Sequence, residues 1–115
     1  MNVKILFEDK DIIVVVKPSG MPSQGDKSMT MDMVSYLKNY LASAGGQRRQ
    51  GEPYVGVVHR LDRPVGGVMV YAKTPEAAKQ LSRQIQENKV KKKYMALLTG
   101  LLPQKEGHLV NWLLK

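Results

Sequence analysis

Two β-rich runs, Val3 to Phe7 and Ile12 to Val16, stand on either side of the polar tetrapeptide Glu8-Asp9-Lys10-Asp11. That pattern predicts an antiparallel hairpin with a polar turn, so the fold begins on a sheet. The second run is apolar throughout, as in a strand covered on both faces. Lys17-Pro18-Ser19-Gly20-Met21-Pro22 then interrupts regular structure, and the loop continues through Gly25-Asp26.

Helical spacing comes next. Met33, Val34, Leu37 and Leu41 fall on one side of a helix over about 31–44, with Tyr40 beside them and Thr30 as its predicted N-cap. Gly45-Gly46 ends it, and residues 47–53 read as a mobile basic loop. Strands are predicted over Tyr54 to Val58 and Gly67 to Ala72. A second helix is announced by Thr74 as N-cap, Pro75 in the first turn and Glu76 against the dipole. Its buried stripe is Ala77, Ala78, Leu81 and Ile85, leaving Lys79, Gln80, Arg83 and Gln84 outward.

Lys91 to Gly100 alternates like a strand, with Tyr94, Ala96 and Leu98 on one face. Leu109 to Leu114 is a last apolar run, with Val110, Trp112 and Leu114 together on one face. The expectation is one α/β domain of the α+β type over residues 1–115, with a mixed, largely antiparallel sheet and two helices. An aromatic-bearing strand followed by nothing reads as a domain cut through at its C-terminal end. Such a strand also offers a surface for self-association.

Composition narrows the function classes. At 115 residues and 43% hydrophobic content the chain suits a single globular domain with a modest core. No apolar run approaches the roughly 20 residues that cross a bilayer, and Met1-Asn2-Val3-Lys4 opens no secretory signal. Zero cysteines exclude disulfides, thiolate metal sites and cysteine nucleophiles. A cytoplasmic location is the expectation. His59 and His108 lack metal-ligand spacing, so neither metal nor other cofactor is expected.

The formal net charge is +8, which concerns partners more than fold. Lys79, Arg83, Lys89, Lys91, Lys92 and Lys93 cluster with only Glu87 against them, and Arg48, Arg49, Arg60 and Arg63 form a second group. Clustering of this kind favours a polyanion, with RNA first among them, over an evenly solvated surface.

The chemistry centres on His59-Arg60-Leu61-Asp62, which follows Val55, Val57 and Val58 and precedes Arg63, Pro64 and Gly66-Gly67. Along a strand, Arg60 and Asp62 would share a face, where the guanidinium holds the carboxylate ionised and oriented. His59 would face away and serve as a structural hydrogen-bonder. The plainer alternatives are an Asp62 side chain that caps its own turn, a surface Arg60 and a half-buried strand tyrosine at Tyr94.

His59-Arg60-Leu61-Asp62, Val68-Met69-Val70-Tyr71-Ala72-Lys73 and Lys92-Lys93-Tyr94-Met95-Ala96 resemble the ordered motifs of RluA-type RNA pseudouridine synthases. The opening from Leu6-Phe7-Glu8-Asp9 to Val16-Lys17-Pro18-Ser19-Gly20 resembles that family's first hairpin and loop. The resemblance implies the N-terminal half of the pseudouridine synthase fold and isomerisation of uridine in structured RNA, such as a stem-loop of rRNA or tRNA. It assigns the nucleophile to Asp62, its support to Arg60, and stacking or proton transfer to Tyr94.

Candidate RNA contacts are Arg48, Arg49, Arg63, Lys73, Lys91, Lys92 and Lys93. Two features depart from the family. Its usual Thr-Ser-Gly is here Val65-Gly66-Gly67, and its later Gly-Arg-x-His-Gln-Ile-Arg-type segment is not in this sequence. The competing readings are a non-catalytic RNA-binding module and, last, a nucleoside glycosidase, which needs a second positioned carboxylate.

Overall fold

The computed structural model describes residues 3–25, 30–44, 53–101 and 106–108. The opening hairpin forms: β1 (Lys4–Glu8) pairs antiparallel with β2 (Ile12–Lys17), with an irregularity between Ile5 and Phe7. Asp9 makes the turn. Its carboxylate accepts the backbone N–H groups of Asp11 (2.7 Å) and Ile12 (2.8 Å), offering locally the partners a longer loop would lack. Those bonds, from Ile12 first and Asp11 second, hold the Asp9 carboxyl below its usual range.

β4 (Gly67–Ala72) lies along the other edge of β2 and β3 (Gly56–Val57) lies beyond it. The sheet order is β1-β2-β4-β3, and every pairing is antiparallel. The expected strand over Tyr54 to Val58 contracts to two residues. Gly56 is where α2 (Pro75–Gln86) comes close: an added Cβ would sit 3.1 Å from Ala78 Cβ and 3.0 Å from the Tyr54 ring.

One face of the sheet carries the core. Ile13 and Val15 of β2 and Met69 and Tyr71 of β4 pack with Val3, Met21 and two residues of α1 (Met33–Ala44), Met33 and Leu37. All but Val3 and Met21 in this group have no exposed surface. Removal of each large side chain from water is worth roughly 1.5–3 kcal/mol. β2 alternates between fully and partly buried positions, so its second face is covered less completely than its unbroken apolar run suggests.

Asp32, not Thr30, caps α1. Its Oδ2 accepts the Ser35 N–H (3.2 Å), its Oδ1 accepts the Ser35 hydroxyl (2.6 Å), and its carbonyl accepts the Tyr36 N–H. A carboxylate at this position serves both the orphan amides and the dipole. At α2 the expectation holds: Thr74 Oγ1 accepts the Ala77 N–H (3.1 Å), with Pro75 in the first turn. Its stripe of Ala77, Ala78, Leu81 and Ile85 is partly buried, and Lys79, Gln80, Arg83 and Gln84 point outward.

The strand predicted over 91–100 does not form. Residues 91–98 join no ladder among the described residues, and Met95, Leu97 and Leu101 are fully exposed. Alternation defines two faces but supplies no partner, and a strand without one has no hydrogen bonds to hold it. The run Leu109 to Leu114, with its suggested role in self-association, lies outside the described residues.

Candidate active site

A turn bears Asp62. The Val65 N–H donates to the Asp62 carbonyl (2.9 Å), closing residues 62–65 over Arg63 and Pro64. The loop after β2 grips this turn along its length. The Gly20 N–H donates to the Arg63 carbonyl (2.7 Å), Arg63 Nε donates to the Gly20 carbonyl (2.9 Å), and the Ser19 hydroxyl donates to the Pro64 carbonyl (2.6 Å). On the other side of Asp62, the Ser23 hydroxyl bonds the backbone of Leu61. Gly66 lets the loops meet, because a Cβ there would come within 3.2 Å of the Lys17 carbonyl and the Ser19 nitrogen.

Beneath the turn is Lys17, which has no exposed surface. Its ammonium donates to the carbonyls of Met21 (2.7 Å), Pro18 (3.1 Å) and Arg63 (3.1 Å), matching three donors to three acceptors. Burial pulls the Lys17 ammonium below its ordinary range, and the Asp62 charge opposes that pull. The Lys17 ammonium therefore feels the Asp62 charge through the turn. Reading the motifs assigned Lys17 no role, although it continues the inward register of Ile13 and Val15 and could have been found from that.

The predicted partnership of Arg60 with Asp62 is not formed. The ladder of β3 stops at Val57, so the strand argument that put both side chains on one face does not apply. Both residues are exposed, and among the described residues no hydrogen bond or ion pair engages the Asp62 carboxylate. It does not cap its turn either. The fold holds the backbone of Asp62 tightly and leaves the side chain unused.

His59 matches its structural role. Its Nε2 accepts the Val70 N–H (3.1 Å), tying the segment before Asp62 to β4. Burial first, then the Lys92 charge, push the imidazole below its ordinary range, and a bond accepted at Nε2 likewise favours the neutral ring. A base with its folded pKa depressed contributes stability above its unfolded value, near 6.5, and loses it as pH falls toward the folded value. Lowering the pH from about 7.5 to about 5.5 should therefore lower the thermal midpoint. His59→Gln, which can still accept but does not titrate, should flatten that segment of the profile in a thermal-melt series. An unchanged slope would show that another group carries it.

A cavity of about 510 Å³ opens beside the turn. Leu61 and Val65, which flank Asp62, line it with Val68 and Val70 of β4, Leu81 and Ile85 of α2, and the segment Lys91 to Met95. Its walls are apolar and its rim is basic. Lys91, Lys92, Lys93 and Tyr94 are thus brought to the same hollow as the Asp62 turn, although Tyr94 is 66% exposed instead of half-buried in a strand. An exposed ring beside an apolar hollow can stack on a flat heterocycle.

Lys73 does not belong with these residues. Its ammonium pairs with Glu8 Oε2 (2.5 Å) and donates to the Asp9 carbonyl (2.7 Å), fastening β4 to the first hairpin. That contact, more than the Tyr40 hydroxyl, holds Glu8 below its usual range. Its companion in the proposed RNA surface, Arg63, serves as a loop clamp, also reaching Thr30 Oγ1 (3.3 Å). Arg48 and Arg49 lie outside the described residues. Among the described residues no three His, Asp or Glu side chains gather as metal ligands, and no helix is long and apolar enough to cross a membrane.

Residues 11–115 match the family model described as RNA pseudouridylate synthase. The chain is 42% identical over 109 residues to an uncharacterized RNA pseudouridine synthase of Aquifex aeolicus, covering 91% of this chain and 33% of the relative. It is 42% identical over 107 residues to ribosomal large subunit pseudouridine synthase D of Nitrosomonas europaea, covering 90% and 29%. Over 108 residues it is 32% identical to tRNA pseudouridine synthase C of Haemophilus ducreyi, covering 91% and 40%. Among solved structures, human RNA pseudouridylate synthase domain containing 4 superposes with a TM-score of 0.60 at 28% identity, over 75% of this chain and 30% of that one. The chain thus spans 29% to 40% of the length of these curated relatives.

Proposed function

The chain belongs to the RNA pseudouridylate synthase family, and from that premise we propose that it isomerises uridine to pseudouridine in structured RNA, with Asp62 as nucleophile. The reaction breaks the bond between ribose C1′ and uracil N1, turns the base, and joins C1′ to carbon 5, which gives up its proton. It needs a carboxylate, an enclosed place for the freed base and a proton acceptor. No redox step enters.

One observation carries the reading. The turn bonds fix the backbone around Asp62, and among the described residues no bond occupies its carboxylate. Beside it lies an apolar hollow with Tyr94 at its edge and three lysines at its rim. A nucleotide drawn out of its stack would find an apolar and aromatic seat there, with its phosphates toward the lysines. Ribosomal RNA and tRNA are the proposed substrates, since the relatives' names divide between them, and the cytoplasm is the proposed location.

The test is release of tritium from carbon 5 of uridine in ribosomal RNA or tRNA by the native polypeptide. Tritium release with pseudouridine in the product supports the reading. RNA binding without release would leave an RNA-binding module. A salt series tests the lysine rim separately. If Lys91, Lys92 and Lys93 each neutralise one phosphate, replacing all three by glutamine should flatten the slope of log affinity against log salt by roughly two, at about 0.7 per contact with single-stranded RNA. An unaltered slope would remove these lysines from the interface.

A further inference from the structure

We propose that Ser23 is a positioning residue for Asp62, an inference that rests on the nucleophilic role assigned to Asp62 above. Ser23 is 5% exposed and sits 38 positions before Leu61. Its hydroxyl donates to the Leu61 carbonyl (2.6 Å) and accepts the Leu61 N–H (3.0 Å). One side-chain oxygen therefore satisfies both backbone groups of the residue immediately before the nucleophile, as a neighbouring strand would.

Ser23 is itself anchored. The Tyr71 hydroxyl, from the middle of β4, donates to the Ser23 carbonyl (2.7 Å). Tyr71 has no exposed surface, and burial pushes its phenol well above its ordinary range, so it stays a neutral donor. A rigid relay thus runs from the core of the sheet through Tyr71 and Ser23 to the peptide groups of Leu61. Lys17 and the loop clamps act on the residues after Asp62, while Ser23 acts on the residue before it. The backbone that carries Asp62 is thereby held from both directions.

The Ser23 hydroxyl touches neither the Asp62 carboxylate nor the cavity, so it acts through the direction in which Asp62 is aimed. Removing it frees the Leu61 peptide groups to rotate toward other partners. A shift of about 1 Å at a reacting group can lower a rate about a hundredfold.

The experiment is a single turnover of RNA tritiated at carbon 5 of uridine, with the native polypeptide in excess. The rate reports geometry, and the amplitude reports the fraction of folded, competent molecules. Ser23→Ala should lower the rate roughly tenfold to a hundredfold, with full amplitude and unchanged RNA affinity. Ser23→Thr, which keeps the hydroxyl, should return the rate to near that of the parent. A parental rate in Ser23→Ala would overturn the inference, as would a loss confined to amplitude or a full-amplitude Ser23→Thr that stays slow. Asp62→Ala, run alongside, keeps the two readings apart: if it releases tritium at the parental rate, the nucleophile assignment itself is lost.

Discussion

Asp62→Ala is expected to abolish pseudouridine formation, by at least about 10⁴-fold in kcat, the scale seen when an activated nucleophile is removed. RNA affinity should change less than about threefold, since on the proposed function it is set by lysine–phosphate contacts that the variant keeps. The folded state should be nearly untouched. Among the described residues no bond depends on the Asp62 carboxylate, and the turn is closed by its carbonyl, which alanine retains. With RNA containing 5-fluorouridine, carbon 5 has no proton to lose, so the reaction stalls. The parent protein should leave a stable protein–RNA adduct, and the variant none. A variant that still forms adduct would transfer the nucleophile to another residue. Equal thermal midpoints make the comparison clean, because loss of folding then plays no part.

The second large effect is expected on stability. Lys17→Met preserves the length and apolar stem of the side chain but removes an ammonium with no exposed surface. Three carbonyls then lose a donor: the buried one of Met21 and the partly buried ones of Pro18 and Arg63. The Pro18 and Arg63 carbonyls keep the N–H groups of Met21 and Gly20, but an unsatisfied buried acceptor at Met21 costs about 1–3 kcal/mol, so a loss of up to about 3 kcal/mol is expected. Urea denaturation should show a lower midpoint with an unchanged slope. Lys17→Arg should not restore the midpoint, because a planar fork cannot aim at three carbonyls arranged around a point charge. A Lys17→Met midpoint equal to the parent would mean that the loop grips the turn without this cation.

These two residues mark what was legible in the sequence. The hairpin, the bounds of β4 and the start and buried stripe of α2 with its Thr74 cap follow from local patterns, and local physics decides them. The motif nominated Asp62, and the fold places it on a turn gripped at its backbone. The expected Arg60 partnership failed, because it assumed a strand that ends at Val57. Lys17 hid among apolar neighbours, where a lysine looks like the end of a strand and not part of its buried face. Ser23 gave no local signal at all, since its meaning lies in a contact with residue 61. The 91–100 segment shows the opposite error: a clear alternation whose hydrogen-bonding partner no single strand's pattern can supply.

The bonds that hold the Asp62 turn join residues 38 to 46 positions apart along the chain. Loop closure over such separations is entropically slow and is rewarded only when the intervening sheet is in place. No local segment can therefore carry a primed carboxylate while the rest of the domain is unformed. On the proposed function, a nascent or damaged copy would be chemically silent toward RNA until its sheet had closed.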